Sequence, residues 1–358
     1  VSAARAPAGL YLHHAPAPAA LDRRPPAWMR RLVRTGRARW LPPGAAEDAP
    51  PTEAPGDARA VILSNPAYTP DLAALVETAR ARGTRIVGAY ESADFDLGLW
   101  ADGRLRGHPD ATQGALLRHV RDLARAVALC DAFLVTGPAM AARLAARAPG
   151  TTCLALPLVP EAAGRPPLPG LRPGWAPPPG ARRIVVEATD ATDRTALLPQ
   201  AARLALAAER TGARLVIGAD VILPDALRDH PALDIVPAGR PLPMAPGTVA
   251  VWPSDGAADW TAARSGAAMA RALVAGATGW GAVPEQIAAS AAPAHRCVPL
   301  RDDWGEDLHE IFTAPLRQDW PRRIRDEYRW RQSLSPARQD AALAGMLAQI
   351  LPADGAPR

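Results

Sequence analysis

Lysine is absent from this 358-residue chain; all 41 of its basic residues are arginine. That removes a Schiff-base lysine and a P-loop lysine from the available chemistry. Cysteine is scarce: Cys130, Cys153 and Cys297 lie far apart, with no CxxC pair. The spacing argues against a structural zinc site, and the odd count argues against a disulfide framework. Small buried thiols are the expectation. No apolar run approaches the roughly 18 residues of a membrane-spanning helix. The opening VSAARAPAGLYLHH has no apolar core of the signal-peptide kind, so the expected location is cytoplasmic. No GxGxxG follows a strand, and HExxH, GxSxG and Walker sequences are missing. A dinucleotide site, a zinc peptidase and a serine-elbow hydrolase are thereby disfavoured. The lone acidic pair Asp302-Asp303 reads as a helix start, and no metal site is expected.

What is present is globular in composition: 48% hydrophobic and 22% charged residues, with a formal net charge of +5. The positive balance suits anionic partners without choosing among them. The 40 prolines punctuate loops. Short apolar runs alternate with helical patterns in both halves, which implies βαβ units and parallel sheets. In the first half, strands are expected at Gly9–Leu12, Ala60–Ser64, Arg85–Ala89, Ala132–Thr136 and Cys153–Leu156. The longest helix is expected over Ala111–Cys130, from the spacing of Leu116, Leu117, Val120, Leu123 and Val127. In the second half, strands are expected at Arg183–Glu187, Arg214–Gly218, Leu233–Val236 and from Val249 to Trp252, with a further apolar strand at Ala272–Ala275. Three helices close the chain. The expected organisation is two doubly wound α/β domains, 1–157 and 182–358, joined by a Pro-rich linker at 158–181. Ligands of such sheets sit at the carboxyl ends of the strands, so a cleft between the two is the expected site.

Ser64-Asn65 and Thr136 follow strong strands at that edge. They read as groups lining that cleft, or as helix caps. Trp28–Trp40 (WMRRLVRTGRARW) interleaves arginines with apolar residues. It reads as a solvated basic helix packed by its apolar side, or as a peripheral contact with the inner membrane face. No nucleic-acid recognition module is visible, and no nucleic-acid partner is expected.

One segment carries a family resemblance. Val249–Ala275 reads VAVWPSDGAADWTAARSGAAMARALVA. It resembles the nucleotide-sugar site of retaining GT-B glycosyltransferases (glycosyltransferase group 1, family 4-like), where a strand ends in Pro-Ser and a helix carries Glu-x7-Glu and then Ala-Met-Ala. Pro253-Ser254 and Ala268-Met269-Ala270 match; Asp259 stands for the first acid and Ala267 for the second. The order of elements across Arg183–Gln349 is similar as well. Cys130–Leu144 (CDAFLVTGPAMAARL) resembles the end of the family's acceptor domain. Arg82–Asp96 is similar to a passage with an Asp-Asp pair, but here Glu91, Asp94 and Asp96 are scattered.

The resemblance implies two Rossmann-like domains of GT-B type with C-terminal helices that cross back to the first domain. It implies transfer of a sugar, of hexosyltransferase type, from a nucleotide-sugar donor to a hydroxyl acceptor that is lipid-linked or a glycan. Cell-surface polysaccharide or glycoconjugate synthesis is the implied setting, with no cofactor and no metal. Asp259 would contact the sugar's hydroxyls, and His108, in the RGHPD turn, would be the catalytic histidine. Arg194 and Arg240 would meet the diphosphate or base, and Ser254 and Ser265 would replace the ribose contact that Ala267 cannot make. Ser64, Asn65 and Thr136 would lie on the acceptor side. The missing second acid, lysine and Asp-Asp pair point to an alternative, a degenerate relative serving as a binding or scaffold subunit.

Overall fold

The computed structural model describes residues 9–15, 25–41, 54–100, 110–160, 177–187, 197–218, 223–237, 240–252, 263–299, 303–313 and 320–351. These form two six-stranded sheets, every neighbouring pair of strands running parallel.

The first sheet is built from β1 (Leu10–His14), β2 (Arg39–Trp40), β3 (Ala60–Ser64), β4 (Arg85–Tyr90), β5 (Ala132–Val135) and β6 (Thr152–Ala155). Its spatial order is β2-β1-β3-β4-β5-β6. The direction of strand addition reverses between β1 and β3, which makes that gap its switch point. Helix α1 (Ala27–Arg34) links β1 to β2, and α2 (Pro70–Ala81) follows β3. Next come α3 (Asp110–Ala126) and, after β5, α4 (Pro138–Arg147). The strands are apolar because helices cover both faces. Leu10, Leu12, Ile62, Val87 and Leu134 face one way onto Trp28, Met29 and Leu32 of α1. Tyr11, Val61, Leu63 and Ile86 face the other way onto Leu72, Leu75 and Val76 of α2. Helix α2 starts cleanly: the Thr69 hydroxyl accepts from Leu72 N–H at 3.0 Å, Pro70 opens the helix and Asp71 sits in its first turn.

The second sheet holds β7 (Arg183–Glu187), β8 (Arg214–Gly218), β9 (Leu233–Val236), β10 (Thr248–Trp252), β11 (Thr278–Gly281) and β12 (Cys297–Val298). Their spatial order is β12-β11-β10-β7-β8-β9, the doubly wound nucleotide-binding order with its switch point between β7 and β10. Helices α5 (Ala201–Thr211), α6 (Asp225–Arg228), α7 (Ala267–Val274), α8 (Glu285–Ala289), α9 (Trp304–Thr313) and α10 (Trp320–Ser333) surround it. Leu204 and Ala208 of α5 meet Leu308 and Phe312 of α9 over one face, with Trp280 and Trp304 edge to face at 5.4 Å. On the other face, Met269 and Leu273 of α7 pack with Trp330 of α10.

The expected two Rossmann-like parallel-sheet units are therefore present. The Ala272–Ala275 strand is not: that stretch ends helix α7 and its cap, and the strand starts at Thr278. Alanine favours the helix, and Gly276 stops it at φ +97°, with Ala277 N–H returning to Ala272 O. The last helix, α11 (Pro336–Ile350), crosses back. Its Leu343, Met346, Leu347 and Ile350 complete the core of the first sheet. Arg31 of α1 holds it through Asp340 at 2.7 Å. The Arg37 side chain donates to Asp340 O.

Helix α1 is thus an internal element. Trp28, Met29 and Leu32 are buried, and of the large apolar groups in Trp28–Trp40 only Trp40 is exposed, at 37%. Among the described residues no helix is long and apolar enough to cross a membrane. Among the described residues no cluster of three or more His, Cys, Asp or Glu side chains is placed to hold a metal. The three cysteines are unpaired thiols.

Candidate active site

Among the described residues four hydrogen bonds join the two units, and each starts just past the carboxyl end of a strand. Just past β4, Glu91 O accepts from Ser265 N–H at 2.6 Å. Past β5, the Thr136 hydroxyl donates to Ala263 O at 2.6 Å. Past β6, Leu156 O accepts from the Gln286 amide at 2.8 Å, while Gln286 Oε1 takes Gly266 N–H at 2.9 Å. The uncapped N-terminus of α4 receives a carboxylate from the other unit: Ala139 N–H donates to Glu285 Oε2 at 2.9 Å. A negative group there satisfies an orphan amide and the helix dipole together. Residues 263–266 follow β10, and Glu285-Gln286 follow β11. The carboxyl edges of the two sheets therefore face each other across a seam.

On the first unit, the edge at the switch point carries a linked group of polar side chains. His14, ending β1, shares a hydrogen bond between Nδ1 and Ser64 Oγ at 3.2 Å. Ser64 ends β3 and is fully buried. Asn65 turns the chain sharply at φ +47°, a left-handed conformation that asparagine tolerates. Its N–H donates to Ala89 O, and its Oδ1 accepts from Glu91 N–H at 3.4 Å. The Glu91 carboxylate takes the Trp28 indole N–H on Oε1 at 2.9 Å. Its surface is partly open. Burial pushes its pKa up to about 7, against a lowering pull from the Trp28 hydrogen bond.

On the second unit, the switch point is marked by Glu187, at the end of β7, and Trp252, at the end of β10. Glu187 pairs with Arg271 of α7 at 2.5 Å. The chain after Glu187 runs through 188–196, and after Trp252 through 253–262. Those stretches contain Arg194, Ser254 and Asp259, which lie outside the described residues, as does His108.

Of the expected site residues that are described, Ser64 and Asn65 sit together at the first switch point. Neither caps a helix, since Thr69 caps α2. Thr136 is no cap either: Gly137 occupies that position of α4, and the Thr136 hydroxyl is engaged in the seam. Ser265 is also a seam residue, with its hydroxyl accepting from Ala267 N–H at 3.3 Å. Arg240 is exposed past β9, at the far edge of the same carboxyl side. The readings from sequence missed His14 and Glu91 as members of the site. The available signal was position alone: each is a titratable residue at or just past the end of a buried parallel strand.

No protein-family model matches this chain, and no curated protein matches it. Solved structures similar in architecture include a UDP-glucosyltransferase from Polygonum tinctorium that glucosylates indoxyl (11% identity, 98% of this chain and 100% of that one, TM-score 0.45). The spinosyn forosaminyltransferase SpnP is another (14% identity, 96% and 100%, TM-score 0.44). The glycosyltransferase of kitacinnamycin is a third (13% identity, 97% and 100%, TM-score 0.44). At such values the likeness is one of general shape, and the two-unit architecture stands on its own strand orders.

Proposed function

We propose that this protein is a GT-B-type glycosyltransferase, moving a sugar from a nucleoside-diphosphate donor to an acceptor hydroxyl held in the seam. The supporting observation is the opposition of two carboxyl edges, one belonging to a sheet in the doubly wound nucleotide-binding order. Dinucleotides and mononucleotides bind such sheets at the switch point, here between Glu187 and Trp252. The loops that leave those strands carry the residues of the family resemblance.

In this reading Arg194 and Arg240 meet the charge that grows on the leaving diphosphate, which lowers the barrier only if they are fixed in place beforehand. Asp259 accepts hydrogen bonds from the sugar's hydroxyls. Ser254 and Ser265 stand in for the ribose contact absent at Ala267. The acceptor lies against Ser64 and Asn65 on the first unit. Cell-surface polysaccharide or glycoconjugate synthesis is the proposed setting, with a glycan or lipid-linked acceptor. Trp40 is the group available for a surface contact with the carrier's membrane.

A thermal-shift screen with UDP-glucose, GDP-mannose, ADP-glucose and dTDP-glucose tests the reading. One of them should raise the melting temperature at sub-millimolar concentration, and Arg194→Ala should weaken that effect at least tenfold. Silence across all four would favour the scaffold alternative.

A further inference from the structure

We infer that Thr136 and Gln286 are positioning residues for the donor: they fasten the far end of the second unit's loop 253–262 to the first unit, so that donor affinity depends on a hydroxyl of the opposite unit. The inference rests on the glycosyltransferase reading. It moves Thr136 from the acceptor side, where the sequence resemblance puts it, to the support of the donor.

The chain that leaves β10 at the second switch point passes through 253–262 and returns at Ala263. From there residues 263–266 are gripped by three successive strand ends of the first unit. The Ala263 side chain is fully buried in the apolar cluster of Tyr90, Phe95, Phe133 and Met140, which belongs to the first sheet. Its carbonyl takes the Thr136 hydroxyl, directly after β5, at 2.6 Å. Ser265 N–H donates to Glu91 O, directly after β4, at 2.6 Å. Gly266 N–H donates to Gln286 Oε1, and the Nε2 of the same side chain donates to Leu156 O, directly after β6. Gln286 is buried, with both ends of its amide engaged. A Cβ on Gly266 would strike Ile287 Cγ1 at 2.7 Å, so this segment lies flush against α8. Helix α7 begins immediately afterwards, and its Arg271 holds Glu187 at the switch point.

Anchorage acts on affinity through entropy. A ligand that binds a loop must order it, and a loop held at both ends has less freedom to lose. Trp252 fixes the near end of 253–262 within the second sheet, whereas the far end is fixed by the other body. In the proposed reading Ser254 and Asp259, which meet the donor, lie between those two anchors. The Thr136 hydroxyl and the Gln286 amide therefore act on the donor without touching it. Coupling of this kind is reciprocal: the factor by which the anchors tighten donor binding is the factor by which bound donor tightens the seam.

The test uses the full chain and the same four sugar nucleotides, with donor affinity read by calorimetry at a temperature where every variant is folded. Thr136→Val keeps the shape and loses the hydroxyl, so the donor Kd should rise about tenfold, the upper worth of one neutral hydrogen bond. Thr136→Ser should restore the wild-type Kd. Gln286→Glu keeps an acceptor for Gly266 N–H but has no N–H for Leu156 O, and it should weaken donor at least as much. Leu75→Ala is the control: it truncates the core on the α2 face of the first sheet, so it should melt earlier yet bind donor like the wild type. Saturating donor should slow hydrogen exchange at Ser265 and Gly266 of the wild type by about the same tenfold factor. Wild-type affinity in Thr136→Val, an equal loss in Leu75→Ala, no rescue by Thr136→Ser, or exchange at Ser265 and Gly266 that ignores the donor would overturn the inference. Failure of all four nucleotides to bind the wild type would overturn the glycosyltransferase reading itself, and the inference with it.

Discussion

Gly137 and Glu285 occupy one space across the seam. A Cβ on Gly137 would overlap Glu285 Oε2 and come within 3.0 Å of Glu285 Cβ. The backbone of Gly137 is extended, at φ 176°, so only the missing side chain matters. Gly137→Ala should expel the Glu285 carboxylate from the N-terminus of α4 and leave Ala139 N–H without its acceptor. The expected loss is about 1–3 kcal/mol of seam stability. Hydrogen exchange should quicken at Ala139 and Ser265 while the strands stay protected. Unchanged exchange at both would show that the seam does not depend on this contact.

Glu91 links stability to pH in a definite direction. Its folded-state pKa is raised from 4.5 to about 7. Below pH ~4.5 both states hold the proton. Between there and pH ~7 the unfolded chain releases it and the folded one keeps it, so the stabilisation is lost as pH rises through that window. Glu91→Gln should therefore gain more melting temperature, relative to wild type, at pH 8 than at pH 5. Equal differences at the two pH values would contradict the shift.

His295 acts at the acid end. Burial, helped by the charge of Arg296, pushes its pKa down to about 4. The folded state thus resists a proton that the unfolded chain takes near pH 6.5, and stability is lost as pH falls from there toward 4. His295→Leu should flatten the melting profile between pH 6.5 and 4.5. A profile that stays as steep would assign the acid sensitivity to other groups.

The ion pairs beneath α10 are buried. Glu327, 1% exposed, meets Arg331 at 2.6 Å and Arg296 at 3.5 Å. Removing one partner strands the other charges, which costs more than the pair contributes. Glu327→Leu should destabilise the protein by about 3–5 kcal/mol, read by denaturant melts, whereas exposed Glu306→Leu should change little. Near-wild-type stability of Glu327→Leu would contradict the pairing.

Helix α11 is core to the first sheet, although it lies beyond every strand of the second. Leu343, fully buried there, should cost about 2–5 kcal/mol on truncation to alanine. The lost exchange protection should appear in β1 and β3. If it appears in β7 and β10 instead, the helix belongs elsewhere.

Much of this architecture is legible in the residues. AVILS at β3 and RIVVE at β7 are short apolar runs between helical patterns, and both are buried parallel strands. The place of Ser64 at the carboxyl edge was readable because it ends such a strand. The alanine-rich stretch before Gly276 was misread, since apolarity there could not separate strand from helix. Glu91 was hidden by its company: with Asp94 and Asp96 it looked like an incomplete acidic pair. Its importance comes from Trp28 and Ser265, which no local pattern connects to it. The seam was illegible for the same reason, Thr136 and Ala263 being 127 positions apart.

The return of α11 means that the polypeptide passes between the two bodies twice, once after β6 and once near Ser335, between α10 and α11. A body tethered by one cord can swivel in any direction; one tethered by two can only swing about the line through both. Relative motion of the two is thereby confined to a single rocking path, and each closure brings Ser265 back to the same place against Glu91.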